Sequence, residues 1–177
     1  MRNKIKTGLI IGLCVLILSI KGISNTSYAS DMNNMTLKSG ISLVEQVPNT
    51  FMGNWRVSAH LLDCTNPAMF KQSSIDIWNL SRSNDVIKLV NPFSGAEAAI
   101  NLEYVKGNVV KFTKTGNYDS KILTDTVEIK LNGNYFTGIN TLKLDTLSDV
   151  DNTVIKTDNA KYLLKGEKIS GMSILGK

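Results

Sequence analysis

The sequence predicts an all-β fold, a single antiparallel meander of about eight strands closed or nearly closed into a barrel. Three features point there: serial period-two alternation, turn chemistry between the alternating segments, and no helical i, i+3, i+4 pattern of ten or more residues outside the first 29. Strands joined in series by short loops pair with their neighbours, and eight in a row either close or leave two long edges open to aggregation. The alternative arrangement is a two-sheet sandwich.

Trp55, Val57, Ala59 and Leu61 alternate with polar or small residues and make the first strand. Ile75 to Leu80 and Val86 to Val90 are rich in β-forming side chains, and Ser81-Arg82-Ser83-Asn84-Asp85 separates them. In Asn91-Pro92-Phe93-Ser94-Gly95-Ala96 the proline fixes φ and Gly95 can take a positive φ, so the run is a turn with Phe93 at its tip. Ala98, Ile100, Leu102 and Tyr104 alternate again, and Lys106-Gly107-Asn108 closes a tight hairpin onto Val109 to Thr115. Val127, Ile129 and Leu131 form one face of the next strand, with Asp125, Glu128 and Lys130 polar, and Asn132-Gly133-Asn134 is the strongest turn signal in the chain. Phe136, Gly138, Asn140, Leu142 and Leu144 then share one face of a long strand. After a polar loop, a last strand runs from about Ala160 to Ile174.

The first 29 residues read as a cleavable export signal. Arg2, Lys4 and Lys6 make a basic start, Thr7 to Ile20 an apolar core, and Ser27-Tyr28-Ala29 puts small residues where a signal peptidase reads. A membrane span needs about 20 apolar residues, and Lys21 interrupts before that length is reached. The mature chain is expected to begin at Ser30 and to be exported, periplasmic or secreted, with no membrane attachment after cleavage. Residues 30–48 are a flexible lead with a short helical or extended cover at Ile41 to Val47, and residues 49–177 form the one β-barrel domain.

Removing the signal changes the charge. Of the 20 Lys and Arg, Arg2, Lys4, Lys6 and Lys21 leave with it, so 16 basic side chains face 15 acidic ones and the mature charge is +1. With no basic excess, no nucleic-acid partner is expected. Cys14 leaves too, and Cys64 alone cannot form an internal disulfide. His60 lies four residues from Cys64 on one strand, about 13 Å away, too far to act as its base. Asp149, Asp151 and Thr153 echo the start of a calcium loop, but the glycine and glutamate that must follow are missing. No cofactor, metal site or catalytic motif is expected.

Val47-Pro48-Asn49-Thr50-Phe51-Met52-Gly53-Asn54-Trp55-Arg56-Val57 resembles the entry to the first strand of the lipocalins and their calycin relatives, a G-x-W preceded by a short cover segment. The resemblance implies a barrel with Trp55 plugging its closed end and Gly53 allowing close backbone packing at the entry. Thr124-Asp125-Thr126 and Thr157-Asp158-Asn159 both fit the family's T-D-x turn motif. No arginine follows Arg82 to cover the tryptophan from the last strand; Lys161, Lys165 and Lys168 are the basic residues there, and lysine lacks the guanidinium's stacking fork.

Eight strands leave an interior just wide enough for side chains or one small ligand. Two functional readings follow, neither of them enzymatic. In one, the barrel binds a small apolar molecule beside Trp55, with Phe93, Tyr104, Phe112, Phe136 and Asn140 as further candidate ligand-binding residues. In the other, a structural or surface-interaction domain has its interior filled by side chains. Ala59, Ala98 and Gly138 would leave space, whereas Tyr104, Phe112, Leu131 and Phe136 would close it. The oligomeric state is open.

Overall fold

A computed structural model describes residues 42–171. The export signal, most of the lead and the predicted end of the last strand at Ile174 lie outside the described residues. A helical turn, α1 (Leu43–Gln46), starts at Ser42, whose Oγ accepts the Val44 N–H. A 3₁₀ turn at Asn49–Phe51 follows. Eight strands come next: β1 (Gly53–Cys64), β2 (Ser73–Ser83), β3 (Val86–Val90), β4 (Glu97–Lys106), β5 (Val109–Tyr118), β6 (Lys121–Asn132), β7 (Tyr135–Leu147) and β8 (Val154–Ser170).

Each strand pairs antiparallel with the next, and β8 returns to pair with β1, so the sheet is a closed barrel with no sandwich division. Closure leaves no free edge. Register shifts on β1 against β8, at Asn54/Trp55 and Leu61/Asp63, mark bulges of the kind that bend strands around a barrel. The hairpins turn where backbone freedom is supplied, with φ of 59° at Gly107, 62° at Gly133 and 51° at Asn84. Strand β2 continues through Ser83, so the β2–β3 connection is shorter than the five-residue run expected from the sequence.

Over most of the barrel, alternation places the apolar residues inside and the charged ones outside. On β1, Trp55, Val57, Ala59 and Leu61 are buried while Arg56, Ser58, His60 and Leu62 face out. This is the reverse of a membrane-spanning barrel, whose apolar band faces lipid. The chain enters at one end, where the turns β2–β3, β4–β5 and β6–β7 gather and the cover formed by α1 and the 3₁₀ turn closes the barrel. The loops β1–β2, β3–β4, β5–β6 and β7–β8 ring the opposite, open end.

Candidate functional site

The closed half of the barrel is an aromatic floor. Trp55, Trp78, Phe51, Phe112 and Phe136 are each at most 1% exposed. Trp55 and Trp78 face each other across β1 and β2. Phe136 lies between them, its ring centre 5.1 Å from Trp55 and 5.9 Å from Trp78. Phe112 stands edge-on to Trp78 at 6.5 Å and tilts against Phe51 at 6.2 Å. The Trp55 indole N–H donates to the Phe51 carbonyl at 2.9 Å, tying the floor to the cover. Two glycines make this packing possible. A side chain at Gly166 would collide with the Phe136 ring, and one at Gly53, where φ is 121°, with the Ser170 carbonyl.

Lys168 on β8 takes the covering position over Trp55, which the sequence reading left without an arginine. Its Nζ stands 4.8 Å from the ring centre and donates to the Met52 carbonyl at 2.9 Å and to the Thr50 carbonyl. A lysine therefore meets both the ring and the cover, despite lacking the guanidinium fork, because the two carbonyls it needs lie side by side just ahead of β1. Burial lowers the Lys168 pKa. Arg82 holds the same cover from β2, donating to the Val47 carbonyl and to Asn49 Oδ1.

Above the floor the interior turns polar. Asp76 stands one inward step above Trp78, opposite Val57, and Ser74 one step further, opposite Ala59. Lys114, one inward step above Phe112, is bound to Asp125 directly across on β6, with side chains 11% and 2% exposed. Asn140 on β7 is fully buried, diagonal to Asp125 and opposite Tyr162. Asp76 accepts the Ile77 N–H at 2.8 Å and an Asn91 amide hydrogen on the same oxygen. Burial raises the Asp76 carboxyl above its ordinary range, offset in part by the Ile77 N–H, Lys114, Trp78 and Asn91.

This layer contains buried polar atoms without a hydrogen-bond partner among the described residues. They are Ser74 Oγ, Asp76 Oδ2, Trp78 Nε1, Asp125 Oδ1, and both Oδ1 and Nδ2 of Asn140. An unmet buried polar group costs about 1–3 kcal/mol, so six in one layer ask for an occupant, water or ligand. The surrounding inward side chains differ from the floor. Ala98, Leu102, Leu123, Ser74 and Asp76 are only half-buried, so solvent reaches the open half.

The candidate residues fall into four groups. Trp55, Phe112 and Phe136 are in the floor, where close packing rather than a binding cleft surrounds Trp55. Asn140 is in the polar layer. Phe93 lies at the tip of the β3–β4 loop at the open end, 85% exposed, on a turn held by Asn91 Oδ1, which accepts from the Phe93 and Ser94 N–H groups. Tyr104 is not an interior residue. A register shift between Leu102 and Tyr104 breaks the alternation, so Val105 turns inward and Tyr104 outward, where its hydroxyl meets Glu128 and its pKa rises.

Asp76, Lys114 and Asp125 escaped the sequence reading, although their signal was present. Asp76 shares parity with Trp78 and Leu80, Lys114 with Val110 and Phe112, and Asp125 with Val127, Ile129 and Leu131. Neither T-D-x candidate is a turn: Thr124-Asp125-Thr126 is in mid-β6 and Thr157-Asp158-Asn159 within β8. Asp151 folds onto its own loop, accepting the Thr153 hydroxyl at 2.8 Å. His60 and Cys64 do share β1, as the separation argument required. Comparison with protein-family models, curated proteins and solved structures finds no match for this chain.

Proposed function

We propose that this protein is an exported, non-catalytic binding module whose barrel takes up a small molecule in its open half. The observation that carries the reading is Asn140, fully buried with neither side-chain atom partnered. A fold that filled its own interior would pair that amide or replace it with an apolar residue. The ligand position shifts from the one first expected: the space beside Trp55 is occupied by Phe136, Lys168 and the Phe51 carbonyl, so the site lies above the floor. Kinship with the lipocalins and calycins is the finer part of this proposal. Gly53-Asn54-Trp55 opening β1, closure of the meander by β8, and Lys168 over Trp55 support it.

A second reading, the side-chain-filled barrel, draws on the aromatic floor. Titration separates the two. The purified protein is titrated with an environment-sensitive apolar dye and with neutral medium-chain alcohols, and tryptophan emission is read in wild type, Trp55→Phe and Trp78→Phe. The binding reading expects a saturable change carried mainly by Trp78, which borders the polar layer. No saturable change in any of the three proteins would leave the filled barrel standing. Export is checked by the intact mass of protein recovered outside the cytoplasm, expected to correspond to a chain starting at Ser30.

A further inference from the structure

The polar layer also limits what the ligand can be, and the limit rests on the binding reading above. Four of the six unpartnered atoms can accept a hydrogen bond: Asp76 Oδ2, Asp125 Oδ1, Asn140 Oδ1 and Ser74 Oγ. Three of these come from separate strands, β2, β6 and β7; Lys114 binds Asp125 and lies close enough to Asp76 to act on its charge, and Asn140 is diagonal to Asp125. Lys114 is bound to Asp125 and Lys156 to Asp158 at 2.7 Å, whereas Asp76 is in no ion pair among the described residues and feels Lys114 only through space. Asp76 thus has no ion-pair partner of its own, in a layer where Asp125 is 2% and Asn140 0% exposed.

A half-buried carboxylate without an ion-pair partner of its own favours an incoming cation. A fatty acid would add a second uncompensated charge, and a neutral alcohol would supply a single proton to several acceptors. A protonated amine supplies three N–H donors and one positive charge. Trp78, one inward step from Asp76 on β2, borders the same layer from below, which also favours a cation.

We propose that the open half of the barrel binds a small amphiphile bearing a protonated primary amine, its head among Asp76, Asp125 and Asn140 and its apolar body toward the open end. Ala59, Ala98, Leu102 and Leu123 line the way out with short or half-buried apolar side chains. The unpartnered Asn140 amide N–H groups leave room for one acceptor beside the amine, such as a hydroxyl or a bound water.

The test is calorimetric titration of the full chain at neutral pH with hexylamine, hexanol and hexanoate, which share an apolar body and differ in the head. The amine is expected to bind at least tenfold more tightly than the other two. Asp76→Asn, which keeps shape and removes one charge, should weaken the amine about tenfold and leave hexanol unchanged. Asn140→Leu should also weaken the amine, from the other side of the layer, and serves if Asp125→Asn, which removes the carboxylate bound to Lys114, fails to fold. Hexanol or hexanoate binding as tightly as the amine would overturn the amine assignment and leave the binding barrel intact. Amine binding untouched by Asp76→Asn and Asn140→Leu would also overturn it, by moving the site elsewhere. If none of the three probes binds, only water occupies the layer and both readings fall.

Discussion

Lys168 holds the closed end together through one ammonium group, which meets the Trp55 ring and two carbonyls of the cover at once. Hydrogen bonds from a charged donor contribute about 1.5–3 kcal/mol and a partly desolvated cation–π contact about 1–2 kcal/mol, with part of that offset by the cost of burying the charge. Lys168→Met keeps the stem and removes the ammonium. It is expected to lower the urea midpoint by about 1–3 kcal/mol of stability, whereas Lys168→Arg, which can stack and reach both carbonyls, stays within about 1 kcal/mol of wild type. A methionine variant as stable as the wild type would show that the contact contributes nothing. The residues at this end were legible in the sequence: Gly53 and Trp55 announce themselves by type and spacing. Lys168 was not, because any of three lysines on the last strand could have served, and only the β1–β8 register puts this one opposite Trp55. The buried charges were hidden for another reason. Asp125 has the parity of Val127 and Ile129, but composition reads an aspartate beside glutamate and lysine as part of a solvated face, and only parity carried through the whole strand corrects that.

Among the elements, the strands were legible and their irregularities were not. Alternation and turn residues located all eight, yet the bulge in β4 has no glycine or proline to mark it and reverses the facing of everything beyond Leu102. Tyr104 is the casualty. The cover was also partly legible, as a short segment before β1; what could not be read was that Phe51 is its working side chain, fully buried beneath Phe112 and lending its carbonyl to Trp55. Phe51→Ala removes a ring that the fixed barrel wall cannot collapse to replace, so a loss of about 3–5 kcal/mol is expected. Trp55 emission should move to longer wavelength as water enters the closed end. Because the polar layer is built from β2, β5, β6 and β7, binding by the folded fraction of this variant should remain. A Phe51→Ala protein of unchanged stability and emission would mean that the cover is not a structural part of the barrel.

At the scale of the whole molecule, the meander is a ring cut once. Every strand pairs with its chain neighbours, and the only pairing between distant parts of the sequence among the described strands is β8 with β1, the long-range step that sets folding apart from simple hairpin formation. The two ends of the described chain lie together at the closed end, where Gly171 packs against the Gly53 backbone and the cover precedes β1. Nothing in the pairing scheme distinguishes the β8–β1 seam from any hairpin, so the cut should be movable. A circular permutant that opens the chain at the exposed Lys106-Gly107-Asn108 turn and joins Gly171 to Ser42 tests this. A Gly/Ser linker on the order of ten residues spans about 17 Å on average, enough to cross the closed end without threading the barrel. The permutant is expected to keep a β-rich circular dichroism spectrum, a cooperative urea transition and a denaturant slope equal to that of the parent, because the same surface is buried. Folding should slow only modestly, since β1–β8 becomes the short hairpin and β4–β5 the distant closure. A permutant that collapses without a cooperative transition would show that the β4–β5 hairpin must be covalent for the barrel to form, and that the ring has a fixed starting point after all.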